Sequence, residues 1–176
     1  MKAKNINEVT HDWCLEVLSD KDIVVDATAG NGHDTLFLSE HAKWVYAFDV
    51  SEVAIVRTQE LIKHQSNITL IHDSHEQLSK YIKEKAHGIM YNCGYLPNSD
   101  HKSITQTHST LASLAEAKSI LDDKGWICIT VYLKHTHGAK EAEQVKQWLQ
   151  DNTIIEKVYT YEGIKDAPIA YFCRVL

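Results

Sequence analysis

The chain has 176 residues, 44% hydrophobic and 24% charged, with two prolines and a formal net charge of −6. This is the composition of a soluble globular protein long enough to bury roughly two-thirds of the surface its unfolded chain exposes. It excludes disordered and fibrous classes and any strong overall attraction to nucleic acid.

In chain order, MKAKNINEVTHD carries lysines but no apolar signal core, which points to the cytoplasm, and NEVTHDWCLEVLSD (7–20) reads as a helix. One domain over 1–176 is expected, with 1–20 as its N-terminal helix. The apolar run IVVDA at 23 is the first strand, followed by the loop DATAGNGHDT (26–35) and a helix starting near His33. WVYAF at 44 is the second strand. SEVAIVRTQELIKHQ (51–65) is a helix capped by Ser51, with Val53, Val56 and Leu61 near one face. ITLI at 68 and GIMYN at 88 are the third and fourth strands.

SITQTHSTLASLAEAKSILDD (103–123) places Leu111, Leu114, Ala117 and Leu121 at helical spacing. WICITVYL at 126 follows as a strand. GAKEAEQVKQWLQDN (138–152) aligns Ala142, Val145, Trp148 and Leu149 on a helix. IIEKVYTY at 154 and IAYFCRVL at 169 are separated only by EGIKDAP, too short for a helical crossover, so they form an antiparallel hairpin. Near-continuous apolar strands alternating with helices define a mostly parallel α/β sheet covered on both faces. No apolar run reaches the ~20 residues that span a membrane. Cys14, Cys93, Cys128 and Cys173 form no CxxC pair, which suits reduced buried thiols.

Ligands of open α/β sheets sit beyond the carboxyl ends of the strands. After the first strand, Gly30 and Gly32 allow a tight turn and close backbone approach, although by themselves they fit an ordinary strand-to-helix turn equally well. Asp49 closes the second strand, where an acid accepts from both hydroxyls of a ribose; its other reading is a helix N-terminal acid. The third strand ends in HDSH, with Asp73 available to an adenine amino group and Ser74 capping the next helix. His72 and His75 have no third ligand at a suggestive spacing, so no metal is expected. The fourth strand ends in NCGYLPNSD (92–100), where a plain turn would need the glycine and proline but neither Asn92 nor Tyr95.

Glycine turn, ribose acid and adenine acid on successive strands, with a terminal hairpin, make residues 20–176 resemble the class I S-adenosylmethionine-dependent methyltransferases. Nicotinamide enzymes would share Gly30, Gly32 and Asp49 but need neither the hairpin nor N-x-x-Y. The motifs DATAGNGHDTLFL, NCGYLPNSD, SITQTHSTLASLAEA and VYLKH are similar to the YtqB-like family of rRNA methylases. Members of that family methylate 5-aminomethyl-(2-thio)uridine at the tRNA wobble position. Asn92, Gly94, Tyr95, Leu96, Pro97 and Asp100 match its N-L-G-Y-L-P-G-G-D motif, whereas Cys93, Asn98 and Ser99 depart. Against Y-P-G-H-x-G-G, Tyr132, His135 and Gly138 are kept.

The resemblance implies a Rossmann-like sheet of order 3-2-1-4-5-7-6 with the last strand antiparallel, and S-adenosylmethionine as cofactor. Its cofactor set would be Asp26, Thr28, Gly30, Asn31, Gly32, Asp34 and Thr35 on the first loop, Asp49 after the second strand, Asp73, Ser74 and His75 after the third, and Asn92 and Gly94 after the fourth. Methylation of an amine is an in-line displacement that depends on positioning. Asn92 would accept from the amine, Tyr95 would pack on the base, and His135 or Tyr132 would take the proton or hold the tRNA, the other reading of His135 being a surface loop histidine. The implied partner is the tRNA anticodon loop, which aromatic stacking can read. A basic patch at KHTHGAK (134–140) would help, its other reading being a solvated loop. A homodimer through the apolar face of 103–123 is a further expectation, the alternative being that this face is core. Methylation of rRNA, protein or a small amine, and a non-catalytic nucleotide-binding module, are the competing readings.

Overall fold

The computed structural model describes residues 4–94, 107–134 and 138–176. Its first helix, α1 (Ile6–Leu15), starts at a capping box. The Asn5 side chain accepts from the Asn7 amide and the Glu8 carboxylate accepts from the Asn5 amide, which satisfies donors a helix start leaves open. There follow β1 (Ile23–Asp26), α2 (His33–His41), β2 (Trp44–Asp49), α3 (Glu52–Leu61) and β3 (Ile68–His72). A single 3-10 turn, His75–Gln77, leads into α4 (Leu78–Tyr81), then β4 (Ala86–Cys93), α5 (Thr107–Ile120), β5 (Leu121–Val131), α6 (Gly138–Asn152), β6 (Thr153–Thr160) and β7 (Ile169–Val175). The strands form one sheet of order β3-β2-β1-β4-β5-β7-β6. All neighbours are parallel except β7, which runs antiparallel to both β5 and β6, as the short EGIKDAP connection dictates.

Side chains alternate across a strand, and that alternation divides the core in two. Val25, Ile89, Tyr91, Cys93, Ile127 and Ile129 face the layer built from α4, α5 and α6, where Leu114, Ala117, Val145 and Leu149 are fully buried. Val24, Met90, Trp126, Cys128 and Phe172 face the opposite layer, against Cys14 of α1 and Leu38 of α2. Parity therefore sends Asp26, two residues after Val24, and Asn92, two after Met90, to the α1–α2 side. This placement brings the site together. The row Leu114–Ala117 is core, which resolves the two readings of that helix face against a dimer surface on it.

Three local expectations are corrected. The apolar face assigned to 51–65 is outside: Val53, Val56 and Leu61 are 48%, 61% and 37% exposed, while Ala54, Thr58 and Ile62 are buried. The cause is close packing, because a Cβ on Gly32 would lie 3.0 Å from Thr58 Cα, so α3 turns its small row inward. The helix expected to end at 123 stops at Ile120, and Leu121 is already paired with Ala86 in a bulged ladder. The helix expected over 7–20 stops at Leu15.

Gly88 marks another close approach. A Cβ there would meet the buried Trp126 ring at 1.9 Å, and Trp126 in turn stacks on Phe172. Gly88→Ala is expected to cost about 1–3 kcal/mol by overpacking, read from urea denaturation. A change below about 0.5 kcal/mol would show that the Trp126 ring relocates freely.

Candidate active site

The glycine loop is tied down from three directions. Backbone bonds join Ala27 N–H to Met90 O at 2.9 Å and Ala29 N–H to Phe48 O at 2.8 Å, fastening the loop to β4 and β2. Gly30 and Gly32 have φ of 55° and 85°, the left-handed region that costs other residues strain, and Gly32 is the N-cap of α2. Asp26 is fully buried beneath the loop: Oδ1 accepts from the Thr28 amide at 3.0 Å and Oδ2 from the Thr35 hydroxyl at 2.5 Å. Burial, then the charge of Asp34, pushes its carboxyl up to about 7, against the pull of the Thr35 and Thr28 hydrogen bonds. Asn31 Oδ1 accepts from Arg57 of α3 at 3.2 Å.

Asp49 is half-buried at the end of β2. Its Oδ2 accepts from the Gly30 amide at 2.9 Å and its Oδ1 from the Ser51 amide at 2.8 Å, so one side chain sets both the glycine turn and the start of α3. A carboxylate accepts about four hydrogen bonds, which leaves capacity for two hydroxyls. Asp73 is more heavily engaged. It accepts from Tyr81 at 2.7 Å, Lys80 at 2.9 Å and the Ser74 amide at 2.8 Å. Those bonds, Tyr81's first and Lys80's second, hold its carboxyl down at about 2. Ser74 Oγ caps the 3-10 turn through the Glu76 amide, as expected. His75 is buried edge-on to Tyr91, its Nδ1 without a hydrogen-bond partner among the described residues, and burial lowers it to about 4, so it is a neutral core imidazole.

At the end of β4 the Asn92 amide N–H donates to Thr28 Oγ1 at 2.7 Å, and Asn92 Nδ2 donates to Asp34 Oδ2 at 3.2 Å. A carboxylate only accepts, so the amide must present its NH2 to Asp34 and its carbonyl away from it. Asp34 Oδ1 accepts from His11 Nε2 of α1 at 2.7 Å, and the His11 ring lies flat on Phe37, centroids 3.8 Å apart. The strand then bends, with the Gly94 N–H donating to Asn92 O at 2.9 Å. A Cβ on Gly94 would stand 3.3 Å from the Tyr132 ring. Burial, followed by the charge of Asp34, pushes the Tyr132 phenol up to about 12, so it stays protonated at neutral pH.

Asp26, Thr28, Asn31, Asp34, Thr35, Asp49, Asn92 and Gly94 thus converge on one sheet edge. Asp73 sits on the same edge but uses its acceptors on α4. Tyr95 and His135, given catalytic roles from the sequence, lie outside the described residues. His11 was missed, since nothing local marks it and α1 reaches the site only by docking on strands at the other end of the chain. The carboxylates of Asp34 and Asp49 beside the glycine turn suit a cationic ligand, and no group of three or more His, Cys, Asp or Glu among the described residues could hold a metal ion.

Residues 45–172 match the model of the family described as "Putative rRNA methylase". The chain belongs to that family. It is 34% identical to "a putative methyltransferase from Streptococcus mutans in complex with SAH", with a TM-score of 0.88 and 99% of both chains covered. An rRNA methylase structure from Streptococcus thermophilus is 30% identical, with a TM-score of 0.81 over 100% of this chain and 99% of that one. A chloroplastic tRNA (mnm(5)s(2)U34)-methyltransferase of Arabidopsis thaliana is 33% identical over 159 residues, 81% of this chain. The chain spans 58% of that relative's length. The sheet order and antiparallel β7 are those of the class I methyltransferase fold. Among the described residues no helix is long and apolar enough to cross a membrane.

Proposed function

We propose that this chain is an S-adenosylmethionine-dependent N-methyltransferase whose substrate is the aminomethyl group of 5-aminomethyl-(2-thio)uridine at the tRNA wobble position. The observation that carries the chemistry is the amide of Asn92, whose NH2 is taken by Asp34 so that its carbonyl is presented elsewhere. The residues present fit the cofactor: Gly30 and Gly32 hold the left-handed backbone of a tight turn, Asp34 and Asp49 beside it offer negative charge to a sulfonium and an ammonium, and the buried Asp26 shapes the loop from beneath. The cofactor would supply the methyl group. Asp49 would hold its ribose, and the Asp26–Thr28–Thr35 bonds would keep the loop in shape for it.

On the substrate side, Asn92 Oδ1 accepts an N–H of the neutral amine, aims its lone pair, and favours the positive charge that grows on nitrogen as the methyl arrives. Tyr132, protonated at neutral pH, is a hydrogen-bond donor there rather than a base. The wobble-uridine substrate is supported by the Arabidopsis relative's activity, and the family description favours rRNA as the second reading.

Nucleoside mass spectrometry of RNA from a strain lacking this chain tests both. The expected result is aminomethyl-uridine accumulating in tRNA where its methylated form normally stands, reversed by adding purified enzyme and S-adenosylmethionine. An unchanged tRNA profile with a methyl group missing from rRNA would transfer the activity to the second reading.

A further inference from the structure

We propose that His11, on the N-terminal helix, is a positioning residue for methyl transfer, acting through Asp34 on the amide of Asn92. The proposal rests on the reading of Asn92 given above, and the family match begins at Val45, so it assigns nothing to α1. The three side chains form one line: His11 Nε2 lies 2.7 Å from Asp34 Oδ1, and Asp34 Oδ2 lies 3.2 Å from Asn92 Nδ2. Because both oxygens belong to one carboxylate, the tautomer of His11 and the rotation of Asn92 are settled together. Nε2 carries the proton, and Nδ2 rather than Oδ1 faces Asp34.

Every member of the line is held from outside it. The His11 ring is stacked on Phe37 with a 4° tilt, its side chain 23% exposed and that of Asp34 only 9%. Asp34 sits in the first turn of α2, whose N-terminus favours a negative charge. The Asn92 main chain is fixed by Thr28. Helix α1 itself is anchored by the Ile6 amide, which donates to Tyr161 Oη at 2.8 Å, and by burial of Val9, Thr10 and Cys14. Without His11, Asp34 keeps one donor of the pair and is free to rotate. As the carboxylate turns, the Asn92 NH2 bonded to it is carried along, and the carbonyl swings away from the amine. A group that only filled space would not need a donor at Nε2.

The test uses the full chain and three proteins: wild type, His11→Ala and His11→Gln, the last retaining an amide N–H that reaches Asp34. Two readouts are taken. The side-chain amide signal of Asn92 in ¹H–¹⁵N spectra, assigned by its loss in Asn92→Asp, reads the line without any turnover. It should shift or broaden in His11→Ala and return in His11→Gln, while Tm stays within a few degrees. In methyl transfer to aminomethyl-uridine tRNA, kcat should fall about 10- to 100-fold in His11→Ala with KM for S-adenosylmethionine within about threefold, and recover most of the loss in His11→Gln. An Asn92 signal unmoved by His11→Ala, or a kcat loss that His11→Gln does not relieve, overturns the positioning role. A wild-type chain with no turnover on tRNA refutes the substrate reading alone, and the amide signal still decides for or against His11.

Discussion

Asn92→Ala should bind S-adenosylmethionine within about threefold of wild type yet lose at least ~100-fold in turnover. The separation follows from where the residue's bonds go. Its main-chain N–H, which donates to Thr28 and helps hold the glycine loop, survives the substitution. Its amide side chain, which faces Asp34 with one end and under the proposed function would meet the amine with the other, does not. An interaction that orients the nucleophile and strengthens as charge develops appears in kcat, whereas under the proposed function cofactor affinity would rest on the Gly30–Thr35 loop and Asp49. Calorimetry and single-turnover methyl transfer measure the two quantities. Wild-type turnover in Asn92→Ala would make the residue a structural tie between β4 and α2.

Asp26→Asn should flatten the pH dependence of stability in the cofactor-free protein. The carboxyl sits near 7 in the folded chain and at 3.8 unfolded, so between those values the native state holds a proton that the unfolded state has released. Stability therefore falls as pH rises from about 4 to about 7, and the loss is complete above that. Three units correspond to as much as about 4 kcal/mol. Asparagine is nearly isosteric, can still accept from the Thr28 amide and can donate to the Thr35 hydroxyl, so the loop keeps its bonds and loses the titration. Urea denaturation of both proteins at about pH 5 and about pH 8 gives the difference directly. The variant should gain on wild type as pH rises, and parallel slopes would place the titration on another group.

The sheet was legible because its strands are nearly continuous apolar runs, and the hairpin because seven residues cannot carry a helix across. The glycine loop and the acid after β2 were legible for the same local reason: turn geometry and strand ends leave marks in the chain. The orientation of α3 was not. Val53 and Val56 looked like a core row, but the closeness of Gly32 to Thr58 decided for the smaller residues. Asp73 was placed on the right edge, yet its engagement by Tyr81 and Lys80 depends on how α4 turns back, which periodicity does not encode. His75 likewise looks the same in a sequence whether it ends up in a pocket or against Tyr91. His11 was invisible for a larger reason, since its role arises wholly from α1 meeting α2 over a strand near the other end of the chain.

That last contact bears on the order of events during synthesis. β1 to β4, the glycine loop and the Asp34–Asn92 bond use residues that leave the ribosome early, and they can assemble as they emerge. Helix α1 precedes that unit in the chain, but Phe172 of β7 and Tyr161 just after β6, on which it rests, appear only after it. A nascent chain can hold a cofactor-shaped loop before its N-terminal helix has anywhere to dock. The geometry around Asn92 is therefore completed only once β6 and β7 have formed and α1 has docked on them.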